Sequence, residues 1–84
     1  MGVELSRDDI VQLIRRKIQS GAIPNIPARE IWGGPGTGAT CAACERVIGP
    51  SCSEIEAACV DDVTRFYHAE CHTLMEQERG KTAR

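Results

Sequence analysis

The sequence predicts a small α+β domain in which an amphipathic helix precedes a compact cysteine-rich module. Three observations predict it. Apolar residues recur at helical spacing after Ser6. Residues 54–67 alternate in polarity, turn at a pair of aspartates and return as a run of strand formers, as a β-hairpin does. Cys41 and Cys44, two residues apart, are answered twenty-three residues later by His68 and Cys71, again two apart.

The chain has 84 residues, enough for one domain. A core of that size contributes only a few kcal/mol of net stability, so a covalent or metal staple is expected. The aromatic content is one Trp, one Tyr and one Phe, which removes the largest apolar side chains from most of the core. Five cysteines are present, an odd number, and the first twenty residues carry charges throughout instead of the apolar stretch of a signal peptide. Both facts predict a cytoplasmic, reducing setting in which close cysteine pairs hold metal more often than disulfides. No apolar run approaches the roughly 20 residues of a membrane-spanning helix, so no membrane partner is expected. Met1-Gly2 fits a myristoylation signal poorly, because a charged helix opens at Ser6 and no second membrane signal follows.

Taken in order, Ser6 and Asp9 have the spacing of a capping box, and a helix is predicted over residues 7–19. Ile10, Leu13, Ile14 and Ile18 line one face with Val11 beside them. Asp8 and Asp9 in the first turn and Arg15, Arg16 and Lys17 near the end complement the helix dipole, and Gly21 is the expected stop. This segment is assigned residues 1–22. Residues 23–40 form the predicted connection: Pro24 and Pro27 make it extended and irregular, and glycines in GGPGTG make the approach to Cys41 flexible or tightly turned. Trp32 is expected to pack as a core or lid residue over the following module.

GGPGTG also invites comparison with a phosphate-binding loop. The lysine position is Ala39, no strand pattern leads in, and Cys41 stands where the helix should open, so the motif fails. Backbone amides alone would form at most a weak anion nest.

The module itself is assigned residues 41–79. Cys41-Ala-Ala-Cys44 is predicted to be a knuckle, with Val47 and Ile48 on its returning strand and Gly49-Pro50 ending it. In the hairpin, Ile55, Ala57 and Cys59 alternate with Glu54, Glu56 and Ala58; Asp61-Asp62 is the turn and residues 63–67 the return. Phe66 and Tyr67 point to opposite faces, so one belongs to the core. A closing helix is predicted over residues 68–78, with Leu74 and Met75 supplying apolar contact and Gly80 the stop. Residues 80–84 are expected to be a frayed tail.

Two close pairs of soft or borderline ligands suit tetrahedral zinc, which takes thiolate sulfur and imidazole nitrogen. A two-residue gap in a tight turn directs both sulfurs inward, and helix positions three apart share a face. Cys41, Cys44, His68 and Cys71 are therefore the candidate metal ligands and Zn2+ the candidate cofactor. Zinc held this way contributes on the order of 10 kcal/mol to folding. His72 is four residues from His68 and rivals it, with helix-face geometry favouring His68. Cys59 reads as a small buried hydrophobe, and Cys52 as a thiol in a loop that could be exposed.

Knuckle, hairpin, then a helix bearing the last ligands resembles a treble-clef zinc finger over residues 41–77. The spacing is similar to the first zinc site of LIM domains. That resemblance implies knuckle ligands Cys41 and Cys44, with His68 and Cys71 in the first helical turn. A LIM domain continues into a second such site, and here Arg84 follows instead. The lead-in WGGPGTG also resembles that of short bacterial zinc-finger-like proteins of uncharacterised function, which names no activity.

Other chemistries fit less well. A redox Cys-x2-Cys needs a thioredoxin-like setting that is missing, and a disulfide framework meets the odd cysteine count. His68-Ala69-Glu70 echoes the H-x-E of zinc deaminases in reversed order, but Cys71 would close the open position that catalysis needs, so no catalytic residues are expected. Formal net charge is −2, with eight acids and two arginines in residues 45–78 and basic residues at both ends. An acidic module face argues against direct phosphate contact. The expected function is a structural zinc-binding, protein-interaction module; the alternative is a weak nucleic-acid binder using Arg7, Arg15, Arg16, Lys17 and the basic tail.

Overall fold

The computed structural model describes residues 6–82 of the chain. Helix α1 spans Arg7–Ser20. Its start is set by Ser6, whose hydroxyl accepts the Asp9 N–H (3.1 Å) while the Asp9 carboxylate accepts the Ser6 N–H (3.2 Å), a reciprocal capping box. Its end is set by Gly21, which turns left-handed (φ 86°) and donates to the Ile18 carbonyl. Ile14 and Ile18 are buried, with Ile10 and Val11 packed beside them.

Three antiparallel strands follow: β1 (Glu30–Pro35), β2 (Ser53–Ala58) and β3 (Thr64–His68), in the spatial order β1-β2-β3. Trp32 stands opposite Glu56, and Ile55 opposite Tyr67. The β2–β3 turn is closed by the Cys59 N–H donating to the Val63 carbonyl and the Asp62 N–H donating to the Cys59 carbonyl, with Asp62 left-handed (φ 65°). Arg65 grips Asp61 through two 3.0 Å bonds, and that guanidinium holds the Asp61 carboxyl below the usual carboxylate range. Helix α2 (Ala69–Thr82) leaves β3 without a linker and packs against α1. An Arg15–Glu78 ion pair (2.6 Å) ties the two helices, its carboxylate buried. The core between helices and sheet is Ile14, Ile18, Ile23, Ile48, Ala57, Tyr67, Leu74 and Met75. Tyr67 is the core member of the Phe66–Tyr67 pair, and burial pushes its phenol up to about 12.

Several expectations are corrected. Residues 30–35, expected to be irregular, form strand β1, and the hairpin is thereby part of a three-stranded sheet. Two glycines and a proline hide this strand from propensity. It survives as an edge because Pro35 closes it and its whole length is exposed. Trp32 is accordingly no lid: it is 49% exposed on that edge. Of the alternating Ile55, Ala57 and Cys59, Ala57 and Cys59 are buried and Ile55 is half-buried, while Glu54 is also buried, held by Thr37. His68 ends β3 instead of opening the helix, because its backbone still pairs with Glu54. Helix α2 passes through Gly80, expected as its stop, and runs to Thr82. Of the expected frayed tail, residues 83–84 lie outside the described residues.

Ile14 is fully enclosed, whereas Val63 at the hairpin turn is 47% exposed. Ile14→Ala should therefore cost about 2–5 kcal/mol in guanidinium denaturation of the metal-loaded protein. Val63→Ala should shift stability by no more than about 0.5 kcal/mol.

Candidate metal centre

Seventeen residues separate β1 from β2, and they carry the knuckle. Its reversal is built from backbone bonds: Cys41 N–H to the Arg46 carbonyl (2.9 Å) and Glu45 N–H to the Cys41 carbonyl (2.9 Å), with a bridge between Thr40 and Val47 behind them. Glu45 takes the left-handed conformation that completes the turn (φ 67°). Gly36 lets the chain enter this loop: a Cβ there would lie 2.7 Å from the Ile48 carbonyl oxygen, so no larger residue fits without a shift.

Two contacts dock the knuckle. The Ala42 N–H donates to the Phe66 carbonyl on β3 (2.7 Å), two residues before His68. Lys17 on α1 donates to the Ala42 carbonyl (2.8 Å) and pairs with Glu45 (2.7 Å), so both polar groups of one knuckle residue are anchored. Lys17 held lower expectations from sequence, where it read as a dipole-complementing surface charge. Its position beside Ile14 and Ile18, flanking the buried stripe, was the signal that it reaches inward.

The result is a cluster of Cys41, Cys44, His68 and Cys71, whose ligand atoms all lie within 4.8 Å of one another. His68 comes from the last position of β3 and Cys71 from the first turn of α2. The His68 Nδ1 is 3.4 Å from the Cys44 sulfur and 4.0 Å from the Cys71 sulfur. Zinc bonds of the usual lengths in a tetrahedron set a sulfur–nitrogen edge of about 3.6 Å, between those two distances. The three sulfurs are buried and the imidazole is half-buried. Donor types, number and spacing fit a zinc ion. Held there, it would cross-link the knuckle to the strand–helix junction.

The cluster is electrostatically prepared for a cation. Cys41 is drawn down to about 4, chiefly by a hydrogen bond from the Cys71 thiol and also by the Cys44 and His68 amides. The His68 N–H lies 3.4 Å from the Cys41 sulfur. Cys71, as donor to that thiolate, is pushed up, with burial adding to the effect; Cys44 is raised chiefly by burial. Three sulfurs crowded in one site favour a single negative charge until a cation arrives. The first turn of α2 further favours negative charge at Cys71.

The rivals lie elsewhere. His72 packs edge-on against Tyr67 (centroids 5.6 Å apart), and burial holds its imidazole below the usual histidine range. Cys59 is buried beneath the sheet, its thiol donating to the Ala57 carbonyl (3.6 Å). Cys52 is exposed, and all five cysteines are free. In the GGPGTG run, Gly33–Pro35 belong to β1, and the next amides are already donated: Gly36 to Cys52, Thr37 to Glu54 and Gly38 to Ile48. That leaves no anion nest there. Of the basic residues on α1, Arg15 and Lys17 are held in ion pairs with Glu78 and Glu45.

Replacing Cys41, Cys44 or Cys71 by Ser, or His68 by Ala, should reduce bound metal from about one ion per chain to near zero by mass spectrometry. Cys52→Ser should leave it unchanged. At neutral pH, metal uptake should release protons from the cysteine thiols, measurable by calorimetry in buffers of different ionisation enthalpy. The sign follows: bound sulfurs are thiolates, so protons compete with the metal, and occupancy falls as pH is lowered.

Among the described residues no helix is long and apolar enough to cross a membrane. Comparison of the chain with protein-family models, curated proteins and solved structures finds no match.

Proposed function

We propose that this chain is a structural zinc-binding protein of treble-clef type that serves as a small protein-interaction module. The observation that carries the reading is the closed donor set: three sulfurs and one imidazole converge from the knuckle and the strand–helix junction. Four protein ligands complete a tetrahedral zinc, leaving no position for a water or substrate, which is the mark of a structural site and not a catalytic one. The order of knuckle, β2–β3 hairpin and α2 supports the treble-clef reading, with Cys71 in the first helical turn and His68 one residue ahead of the helix. The exposed Ile31 and Trp32 on β1 support an interaction role, since apolar side chains left on a sheet edge mark places where another chain can pair. Free thiols at the site support a reducing, cytoplasmic setting.

The nucleic-acid alternative has less support. Arg15 and Lys17 would have to leave carboxylates at 2.6 and 2.7 Å to reach phosphates, and the ion-paired lysine also anchors the knuckle.

Protein purified without added metal should contain about one zinc per chain, and chelation should abolish its circular-dichroism signature of folded structure. A stable fold with no metal would sink the structural-zinc reading. Binding of single-stranded or duplex nucleic acid at low salt, with a steep loss on adding salt, would move the function to the alternative.

A further inference from the structure

Strand β1 is an edge with an unusual composition. Its neighbour β2 presents alternate backbone groups to its two sides. The Cys59 N–H donates to Val63, which fixes the odd-numbered residues of β2 toward β3 and the even-numbered ones toward β1. The Gly36 N–H donates to the Cys52 carbonyl, in agreement. By register, Glu30, Trp32 and Gly34 bond to β2, while the backbone groups of Ile31 and Gly33 face outward, as does the Pro35 carbonyl. Among the described residues nothing pairs with this outer edge.

Nothing inside the chain demands glycine at positions 33 and 34. A Cβ on Gly33 would make an ordinary 3.7 Å contact with Ile55, one on Gly34 would meet nothing within 4 Å, and neither has positive φ. Glycine inside a strand costs stability and marks close approach by another backbone or ligand. Beside these glycines stand Ile31, 53% exposed, and Trp32, 49% exposed.

We propose that β1 pairs with β1 of a second copy of this chain, antiparallel about a two-fold axis at Trp32, joining two three-stranded sheets into one. The register follows from which side chains face the glycines. Centred on Trp32, Ile31 of each copy faces Gly33 of the other, and both outward N–H groups of both copies find carbonyls. Centred on Gly33, the same number of bonds forms, but Ile31 would face Pro35 and the two Gly33 residues would face each other with no side chain to fill the space between them. In the Trp32-centred register the glycines have a use. Gly33 leaves room for the other copy's Ile31, and Gly34 for its Trp32 ring, the packing that rescues glycine in sheets. The two Trp32 residues meet as a non-hydrogen-bonded pair, where cross-strand side chains are closest and aromatic pairs contribute most. The sole charge on the strand, Glu30, faces Gly34, so no like charges oppose each other. The inference deepens the interaction reading by naming its partner, and it rests on that reading only for the metal-held sheet.

The test is analytical ultracentrifugation of the metal-loaded protein over a wide concentration range, with metal content and far-UV circular dichroism measured on the same samples. The expected result is a mass moving from one chain to two as concentration rises. An exciton couplet from paired indoles should appear in step, and it is unambiguous because Trp32 is the only tryptophan. Ile31→Lys, which charges the edge without entering the core, and Gly33→Pro, which removes an outward N–H, should each shift dimerisation at least tenfold to higher concentration. Ile31→Lys should keep its metal and sheet signal, which guards against reading misfolding as loss of pairing. Metal-loaded protein that stays monomeric at every concentration overturns the inference, including in favour of a foreign strand as occupant, and leaves the zinc reading standing. A dimer that lacks the couplet, or that persists in Ile31→Lys, places the interface elsewhere and also overturns it. Loss of the zinc reading would show separately, as a folded chain without metal.

Discussion

The convergence of three sulfurs and one imidazole at the end of β3 is the constraint on which the rest of this structure depends. A chain of this length buries limited apolar surface with which to hold a long loop, a short sheet and two helices in one arrangement. The four clustered residues lie in two segments distant in sequence, and a metal between them would close the loop that contains the whole hairpin. The electrostatics agree with that role. Hydrogen bonds from its neighbours draw the Cys41 thiol down, while its partner thiols Cys44 and Cys71 are pushed up, and a bound cation would favour the thiolate at all three.

The remaining contacts extend this constraint outward. Lys17 joins the first helix to the knuckle, and Arg15 joins it to the last helix. Helix α1 is thus built into the module, and two of the cations that looked available for a ligand act as internal ties. Glu54 does similar work on the far side, where its buried carboxylate accepts both the amide and the hydroxyl of Thr37 and fixes the loop between β1 and the knuckle. Ion pairs with one half-buried partner are worth more than surface pairs, because solvent screens them less. In each case a polar side chain organises a segment too rich in glycine to organise itself.

Edge strand β1 stands apart from this economy of contacts. Among the described strands it pairs with β2 alone, and it leaves about half of each larger side chain, Ile31 and Trp32, exposed. Natural sheets protect such edges with charge, proline or a covering element. Here Pro35 ends the strand and Glu30 begins it, but the stretch between them is apolar or glycine.

Some of this was determined by sequence alone. The capping box at Ser6 and Asp9, the glycine stop at Gly21 and the buried stripe of α1 are local, since each depends on residues within a turn of one another. The cluster of Cys41, Cys44, His68 and Cys71 was legible for the same reason: each pair is close in sequence. The hairpin and its aspartate turn followed from alternation and turn chemistry. What tertiary structure alone decided is everything that depends on a distant partner. Strand β1 exists because β2 offers an edge to pair with, and no pattern in EIWGGP announces it. For the same reason Trp32 lies at the surface and not over the metal centre. His68 stays in the strand because Glu54 still pairs with it, so its nearness to Cys71 comes from a strand–helix junction and not from a shared helix face. His72 was separated from His68 by packing against Tyr67, a contact that spacing cannot encode. Sequence specifies short-range geometry and donor chemistry; which backbone pairs with which, and which charges turn inward, is settled only when the chain closes on itself.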